Sequence, residues 1–325
     1  MMRIAAFEVR EDEREAFGRM AQVPGVDELA LFSEKIDRND LDVLAGFDAV
    51  LVLGANNYDK DFLRGIAERG VRVLVGRTVG LDYVDVDAAR AVGLATSNVT
   101  YAPDSVADFT LMLILVALRK YKPAIYLQNV NDFALDGLMG RTLSSLTVGI
   151  VGTGAIGTAV AKRLAGFGPK ILANGHHQNP RVAELGEYVS LDELYAESDL
   201  ITFHVPERPE NHRMVCDQTL ARMRDGVVLV NTARAGLMDV DALVRGVESG
   251  KIGALAMDVF DGEQGIYHKS LMNEIISNRD MAYLRQFPNT VLTQHMAFYT
   301  REAVNEMVEK AVTRALELGR EKAVG

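Results

Sequence analysis

A chain of 325 residues, 48% hydrophobic and 25% charged, has the balance of a globular protein and room for two domains with separate cores. Its 45 acidic against 35 basic side chains leave a formal charge of -10, which argues against a nucleic-acid-binding surface. The one cysteine, Cys216, excludes an internal disulfide and a metal-thiolate site, and points to a reducing, cytoplasmic setting. The N-terminal stretch MMRIAAFEVREDERE turns charged too early for a signal peptide. The most apolar run, 109–118, is too short to span a bilayer, so no membrane partner is expected.

In chain order, Arg3–Val9 reads as a strand, Glu11–Met20 as a helix and Ala49–Leu53 as a buried strand. A helix over Asp59–Arg69, a strand over Val71–Val75 and a short helix over Val86–Val92 follow, the last with Asp85 as N-cap and Gly93 at its end. Strands alternating with helices imply a parallel sheet covered on both faces. Tyr101–Ser105 breaks the pattern ahead of a helix, Val106–Arg119, for which Ser105 or Asp104 is the expected N-cap. That helix is apolar on nearly all sides, so burial between domains or between subunits is expected.

From Leu146 the alternation restarts. An apolar strand, 148–151, leads into Gly152-Thr153-Gly154-Ala155-Ile156-Gly157, then a helix ended by Gly166 and Gly168, then a strand over Ile171–Ala173. A G-x-G-x-x-G alone is weak, but within a strand–turn–helix–strand unit each glycine has its own task. The first makes the turn, the second lets backbone approach a pyrophosphate, and the third lets helix and strand pack. The helix N-terminus then offers N–H groups to phosphates. Strands at Leu200–His204, Val227–Asn231, Ala254–Val259 and Val291–Thr293 continue the unit, Glu263–Gln286 is an irregular excursion, and 300–318 is amphipathic.

Ligands in doubly wound sheets lie beyond the carboxyl ends of strands, so polar residues there are the candidates. Arg234, Glu263 and His295 stand out. An arginine can hold a carboxylate or keto oxygen, a histidine can exchange a proton near neutral pH, and a carboxylate on its other ring nitrogen fixes its tautomer. Together they suit hydride transfer to a 2-keto acid, with the proton supplied by His295.

With VGIVGTGAIG, VNTARAGLMD, MDVFDGE and QHMAFYT in hand, the chain resembles the D-specific 2-hydroxyacid dehydrogenases along nearly its whole length, closest to the D-lactate and D-2-hydroxyisocaproate branch. The resemblance implies two doubly wound parallel-sheet domains: a Rossmann nucleotide-binding domain, 101–298, and a smaller flavodoxin-like substrate domain, 1–100 with 299–325. It implies closure of the two over a nicotinamide cofactor and a 2-keto acid. It also assigns the catalytic roles to Arg234, Glu263 and His295, and cofactor contacts to Gly152, Thr153, Gly154, Ala155, Ile156, Gly157, Asn174, Gly175, His176, His204, Val205, Pro206, Thr232, Ala233 and Asp258. Substrate contacts fall to Leu53, Val79, Gly80, Tyr101, Phe298 and Tyr299, no metal is implied, and the helix after Tyr101 is the expected contact of a homodimer.

The chain departs from that pattern in two places that bear on function. Where an acid usually binds the adenosine ribose, it carries Asn174-Gly175-His176-His177, so NADP is as open as NAD. Leu53 replaces a tyrosine common in lactate enzymes, which favours longer or branched keto acids over pyruvate. A relative acting on a phosphorylated acid would want a basic cluster near Val79, where only Arg77 and the more distant Arg72 are in view. A non-catalytic nucleotide sensor of the same fold is the rival from another class, and it has no need of a proton relay.

Overall fold

The computed structural model describes residues 1–324, so Gly325, the last residue of the expected substrate domain, lies outside the described residues. The chain divides into two compact units, 1–102 with 299–325, and 103–298.

The first unit holds five parallel strands, β1 (Met2–Ala6), β2 (Val26–Leu31), β3 (Ala49–Val52), β4 (Val73–Gly76) and β5 (Ala95–Asn98), in the order β2-β1-β3-β4-β5. Its helices are α1 (Arg14–Met20), α2 (Lys60–Glu68) and α3 (Val86–Ala91). Successive strand residues point to opposite faces. Ala5, Val50, Val52 and Leu74 pack with Phe62, Leu63 and Ile66 of α2 and Ala88 and Ala89 of α3. The alternate residues, Ile4, Leu51, Val73 and Val75, are equally buried on the other side. The chain's last helix, running from Arg301 to Val324, packs on β3, β4 and α1 through a stripe of Val304, Met307, Val308, Ala311, Val312 and Ala315.

The second unit opens with α4 (Asp104–Leu118) and α5 (Tyr121–Asn129). It then alternates: β6 (Thr147–Val151), α6 (Ala155–Ala165), β7 (Lys170–Asn174), α7 (Pro180–Ala183), β8 (Glu187–Tyr188), α8 (Leu191–Glu197), β9 (Leu200–Phe203), α9 (Asp217–Arg222), β10 (Val227–Asn231), α10 (Val240–Glu248), β11 (Ile252–Met257), α11 (Arg279–Leu284) and β12 (Thr290–Leu292). The C-terminal helix of the chain is α12 (Arg301–Val324). All seven strands are parallel, in the order β12-β11-β10-β9-β6-β7-β8. Strand order reverses at β6/β9 here and at β1/β3 in the first unit, and such switch points are where open α/β sheets bind ligands.

Several local expectations change. The strands β2, β5 and β8 carry no continuous apolar run because each lies at or near a sheet edge and is half-exposed or very short. β1 stops at Ala6, short of the expected Val9, since Glu8 adopts a left-handed φ of 59°. The helix of 11–20 begins as a 3-10 turn, Glu11–Glu13. Neither Ser105 nor Asp104 caps α4. Pro103 stands at the N-cap with φ -70°, the Asp104 carboxylate pairs with Arg163 at 2.9 Å, and the buried Ser105 hydroxyl has no partner among the described residues. Proline pre-sets the helical φ and replaces the side-chain cap. Within the single chain α4 buries one face, through Ala107, Leu113, Ile114 and Ala117, and Met112 on the other side is 41% exposed, where the expected subunit contact would fall. The excursion is not wholly irregular, because α11 docks there through Met281 and Leu284.

Candidate active site

The β6–α6 turn is built by its glycines. Gly152 has φ 97°, and a Cβ on it would sit 2.5 Å from the His204 carbonyl oxygen. A Cβ on Gly157 would sit 1.9 Å from the Gly152 carbonyl oxygen, so helix and turn meet only because that atom is missing. Gly154 differs, since a Cβ there meets nothing within 4 Å. Backbone at Gly154 therefore faces open space at the N-terminus of α6, where the N–H groups of the first turn lack intrahelical acceptors. The turn fits a dinucleotide pyrophosphate.

Around it the sheet edge is tied tightly. Thr153 Oγ1 donates to the His177 carbonyl at 3.3 Å, and Thr153's own carbonyl accepts from Thr158 Oγ1 at 3.1 Å. Asn174 donates its amide to the Val189 carbonyl at 3.0 Å, turning that side chain inward, while His176 and His177 are exposed. A Cβ at Gly175 would meet Thr153 Oγ1 at 2.7 Å. Thr232, after β10, hydrogen-bonds Thr110 of α4 at 2.8 Å, so it anchors helix to sheet. His204, Val205 and Pro206 follow β9 at the switch point. His204 Nε2 meets Thr202 Oγ1 at 3.0 Å, its buried Nδ1 has no partner among the described residues, and burial pushes the ring's pKa down to about 3.

The ends of β10, β11 and β12, three neighbouring strands, deliver Arg234, Asp258 and His295. Glu263 Oε1 lies 2.6 Å from His295 Nδ1, and its Oε2 accepts the Phe260 N–H at 2.7 Å. His295 itself is held at φ 52°. Asp258 is fully buried, and it accepts Thr293 Oγ1, the Met296 N–H at 3.0 Å and the Ala297 N–H at 2.7 Å. Burial raises its pKa, against the pull of these donors. Both of its oxygens are engaged with the backbone after His295, so its place in the structure is a clamp on that loop. Arg234 is half-buried, with Nη1 donating to the Ala233 carbonyl at 2.8 Å, and its own carbonyl accepts the Asn231 amide at 2.8 Å. Ala233 takes its turn from the Asn231 side chain, 2.9 Å from the Ala233 N–H. Phe298 closes the loop half-buried.

In the first unit, the loop after β4 is fixed by Thr78, whose Oγ1 contacts the Gly80 carbonyl at 2.6 Å and Tyr83 Oη at 2.8 Å. Asn98 Nδ2 donates to the Val79 carbonyl. The N–H groups of Val79 and Gly80 meet no acceptor among the described residues. Leu53 is half-buried after β3, Tyr101 is half-buried, and Tyr299 is 48% exposed with the Arg10 guanidinium 5.5 Å from its ring centroid.

Two acidic residues here escaped the sequence reading. Glu8, at the β1/β3 switch point, accepts the N–H groups of Leu53 and of Ala55 (3.1 Å), and burial raises its pKa. Glu13 is fully buried against Arg77, Nε to Oε1 3.2 Å. Arg77 also donates to the carbonyls of Leu51 and Glu8, and Arg72 pairs with Asp48 at 2.6 Å. Arg77, fully buried on Glu13, is not available to a phosphorylated substrate, and Arg72 is exposed in its pair with Asp48. Nothing local in sequence marks Glu8, since its partners lie 45 and 47 residues away.

A family model, "D-isomer specific 2-hydroxyacid dehydrogenase, NAD binding domain", matches residues 111–297. An aromatic 2-oxoacid reductase of Clostridium sporogenes is 39% identical over 95% of this chain and 93% of its own. A D-lactate dehydrogenase of Lactobacillus delbrueckii subsp. bulgaricus is 34% identical, covering 98% and 96%. The solved D-2-hydroxyisocaproate dehydrogenase superposes with a TM-score of 0.85 at 29% identity, over 97% of this chain and 96% of that one. The chain belongs to the D-isomer specific 2-hydroxyacid dehydrogenase family. It is an NAD-dependent oxidoreductase of 2-keto and D-2-hydroxy acids, and the sensor reading is not favoured.

Proposed function

We propose that the chain reduces 2-keto acids with large apolar or aromatic side chains to their D-2-hydroxy acids, with the proton given by His295 Nε2. One observation carries this reading. Glu263 occupies His295 Nδ1 at 2.6 Å, which leaves Nε2 as the working atom of a half-exposed ring at the carboxyl edge of the NAD-binding sheet. Bound NADH supplies the hydride. Gly152, Thr153, Gly154, Ala155, Ile156 and Gly157 hold its pyrophosphate, and His204, Val205, Pro206, Thr232 and Ala233 lie along the remainder of that edge. Arg234 polarises the keto oxygen, so negative charge developing there meets a fixed cation while His295 delivers its proton.

In this reading 103–298 is the dinucleotide domain and 1–102 with 299–325 the substrate domain. The open N–H groups of Val79 and Gly80 receive the substrate carboxylate. Leu53, Tyr101, Phe298 and Tyr299 are the residues assigned to contact its side chain. The leucine at 53, in a chain similar to an aromatic 2-oxoacid reductase, supports bulky substrates over pyruvate. The burial of Arg77 on Glu13 speaks against phosphorylated ones. The chain works in the cytoplasm as a homodimer. Met112, Tyr121, Ile125, Tyr126, Val130 and Phe133 form an exposed apolar strip along α4, α5 and the turn that follows, of the kind a second copy covers.

The test is the initial rate of NADH oxidation with phenylpyruvate, 2-ketoisocaproate and pyruvate, for the wild type and His295→Ala. The bulky acids should be reduced with the higher kcat/KM. The variant should bind NADH normally and lose at least about a hundredfold in kcat, as expected for removal of a general acid. A variant that keeps more than about a tenth of the rate removes His295 from this role.

A further inference from the structure

We propose that His268, in the excursion between β11 and α11, is the positioning residue of His295. This rests on the reading of His295 as proton donor and deepens it. His295 is not a glycine, yet its φ is 52°, a left-handed conformation uncommon for a residue with a side chain. The peptide joining His295 to Met296 is gripped at both ends. Its N–H, on Met296, donates to Asp258 Oδ1 at 3.0 Å, and its carbonyl, on His295, accepts from His268 Nε2 at 3.2 Å. Fixing that peptide plane fixes ψ of His295 and so the direction in which the imidazole leaves the backbone.

The grip and the ring's own partner come from one short turn. The Glu263 carbonyl accepts the N–H groups of Ile266 and Tyr267, each at 3.0 Å, which folds 263–267 back on itself. Tyr267 and Ile266 pack on the second unit's core. The turn thus presents the Glu263 carboxylate to His295 Nδ1 and, one residue past Tyr267, the His268 ring to the His295 carbonyl. His268 is itself left-handed, φ 61°, and its ring stands 6.4 Å from that of His295 and 6.5 Å, edge-on, from Phe298. The excursion therefore holds the proton donor twice, by its ring and by its backbone. Only the ring contact belongs to the relay, and His268 acts through His295 without touching the reacting atoms.

The geometry makes a specific demand, because the donor is Nε2. A glutamine amide nitrogen reaches about as far from the backbone as Nε2, whereas an asparagine amide reaches only as far as Nδ1. The experiment measures kcat and KM for phenylpyruvate and NADH in full-length His268→Ala, His268→Phe, His268→Asn and His268→Gln. His268→Ala is also made in the His295→Ala background, and NADH binding is followed by fluorescence in every variant. His268 is exposed, so folding is not at stake.

Ala, Phe and Asn should each lower kcat about tenfold with NADH affinity unchanged, and Gln should stay within about threefold of wild type. In the His295→Ala background the second substitution should cost nothing more, because the group being aimed is gone. The proposal fails if all four variants turn over like the wild type, if Gln is no better than Ala, or if the losses at 268 and 295 multiply. His295→Ala with near-normal kcat overturns the reading of His295 and this inference together. A dead His295→Ala beside unaffected His268 variants overturns this inference alone.

Discussion

Glu8 shows what a single side chain at a strand end can decide. Its carboxylate holds the Leu53 and Ala55 N–H groups, so it shapes the turn that carries Leu53, and burial raises its pKa from the ordinary 4.5. A raised carboxyl pKa means that Glu8's contribution to stability is complete below the unfolded value and is lost as pH rises through the folded one. Glu8→Gln has no such loss. In urea unfolding measured from pH 4 to 8, the variant should therefore gain on the wild type as pH rises, and a constant difference would show that Glu8 does not titrate in this range. His204 works in the opposite sense. Its ring is held near 3 against an ordinary 6.5, so the unfolded chain takes up a proton that the fold refuses. Stability is full above about 6.5 and falls by roughly 1.4 kcal/mol per unit as pH drops towards 3. His204→Asn should flatten that slope between pH 6 and 4, and an unchanged slope would point to another group. Both residues follow apolar strands, where sequence marks the place and not the partner. Arg234, Glu263 and His295 stood out because their types make a chemical set. Glu8 and His268 did not, because each acquires its meaning from backbone groups brought in by the fold: Leu53 and Ala55 for the one, the His295 carbonyl for the other.

At the scale of elements, buried strands were readable and edges were not. Val227–Asn231 has an apolar core and is buried at every position, whereas β8 is two residues, Glu187 and Tyr188, that pair only with β7. A strand that is not sandwiched needs no apolar run, so periodicity cannot announce it. Lys122 of α5 is a further device invisible to pattern. Its Nζ donates to the carbonyls of Arg285, Phe287 and Thr290 at 2.6–2.7 Å, closing the end of α11 and the start of β12 with one ammonium. Lys122→Met would leave these carbonyls unpaired, and we expect a loss of about 1–3 kcal/mol in unfolding free energy, with kcat in the surviving enzyme unaffected. The apolar strip on α4 and α5 makes its own prediction. Tyr126→Glu with Phe133→Glu should turn a homodimer into a monomer by light scattering, and a wild-type protein that is monomeric at all concentrations would remove the dimer from the reading.

For the whole molecule, the glycine-rich turn, the strand alternation and the family motifs gave the two-sheet architecture, and the family match makes the chain an NAD-dependent enzyme. Cofactor preference is set by a small neighbourhood of that architecture. β7 ends in Asn174, whose amide is spent on the Val189 carbonyl, and the exposed His176, His177 and Arg181 follow with no acid between them. Without a carboxylate to repel a 2′-phosphate, NADPH should serve beside NADH. Arg181→Ala should then raise KM for NADPH several-fold and leave that for NADH alone. Equal effects on the two would show that Arg181 does not see the phosphate.

The position of α12 also governs the order in which the protein can be made. The first sheet leaves the ribosome with one apolar face bare, because the helix that packs on β3 and β4 is synthesised after every strand of both sheets. The nucleotide-binding unit, continuous over 103–298, is complete before that helix emerges. A nascent chain thus carries a finished cofactor fold together with an unfinished sheet until that helix emerges. A chain cut before Arg301 would leave that face uncovered, so the first unit is completed only after the second has been made.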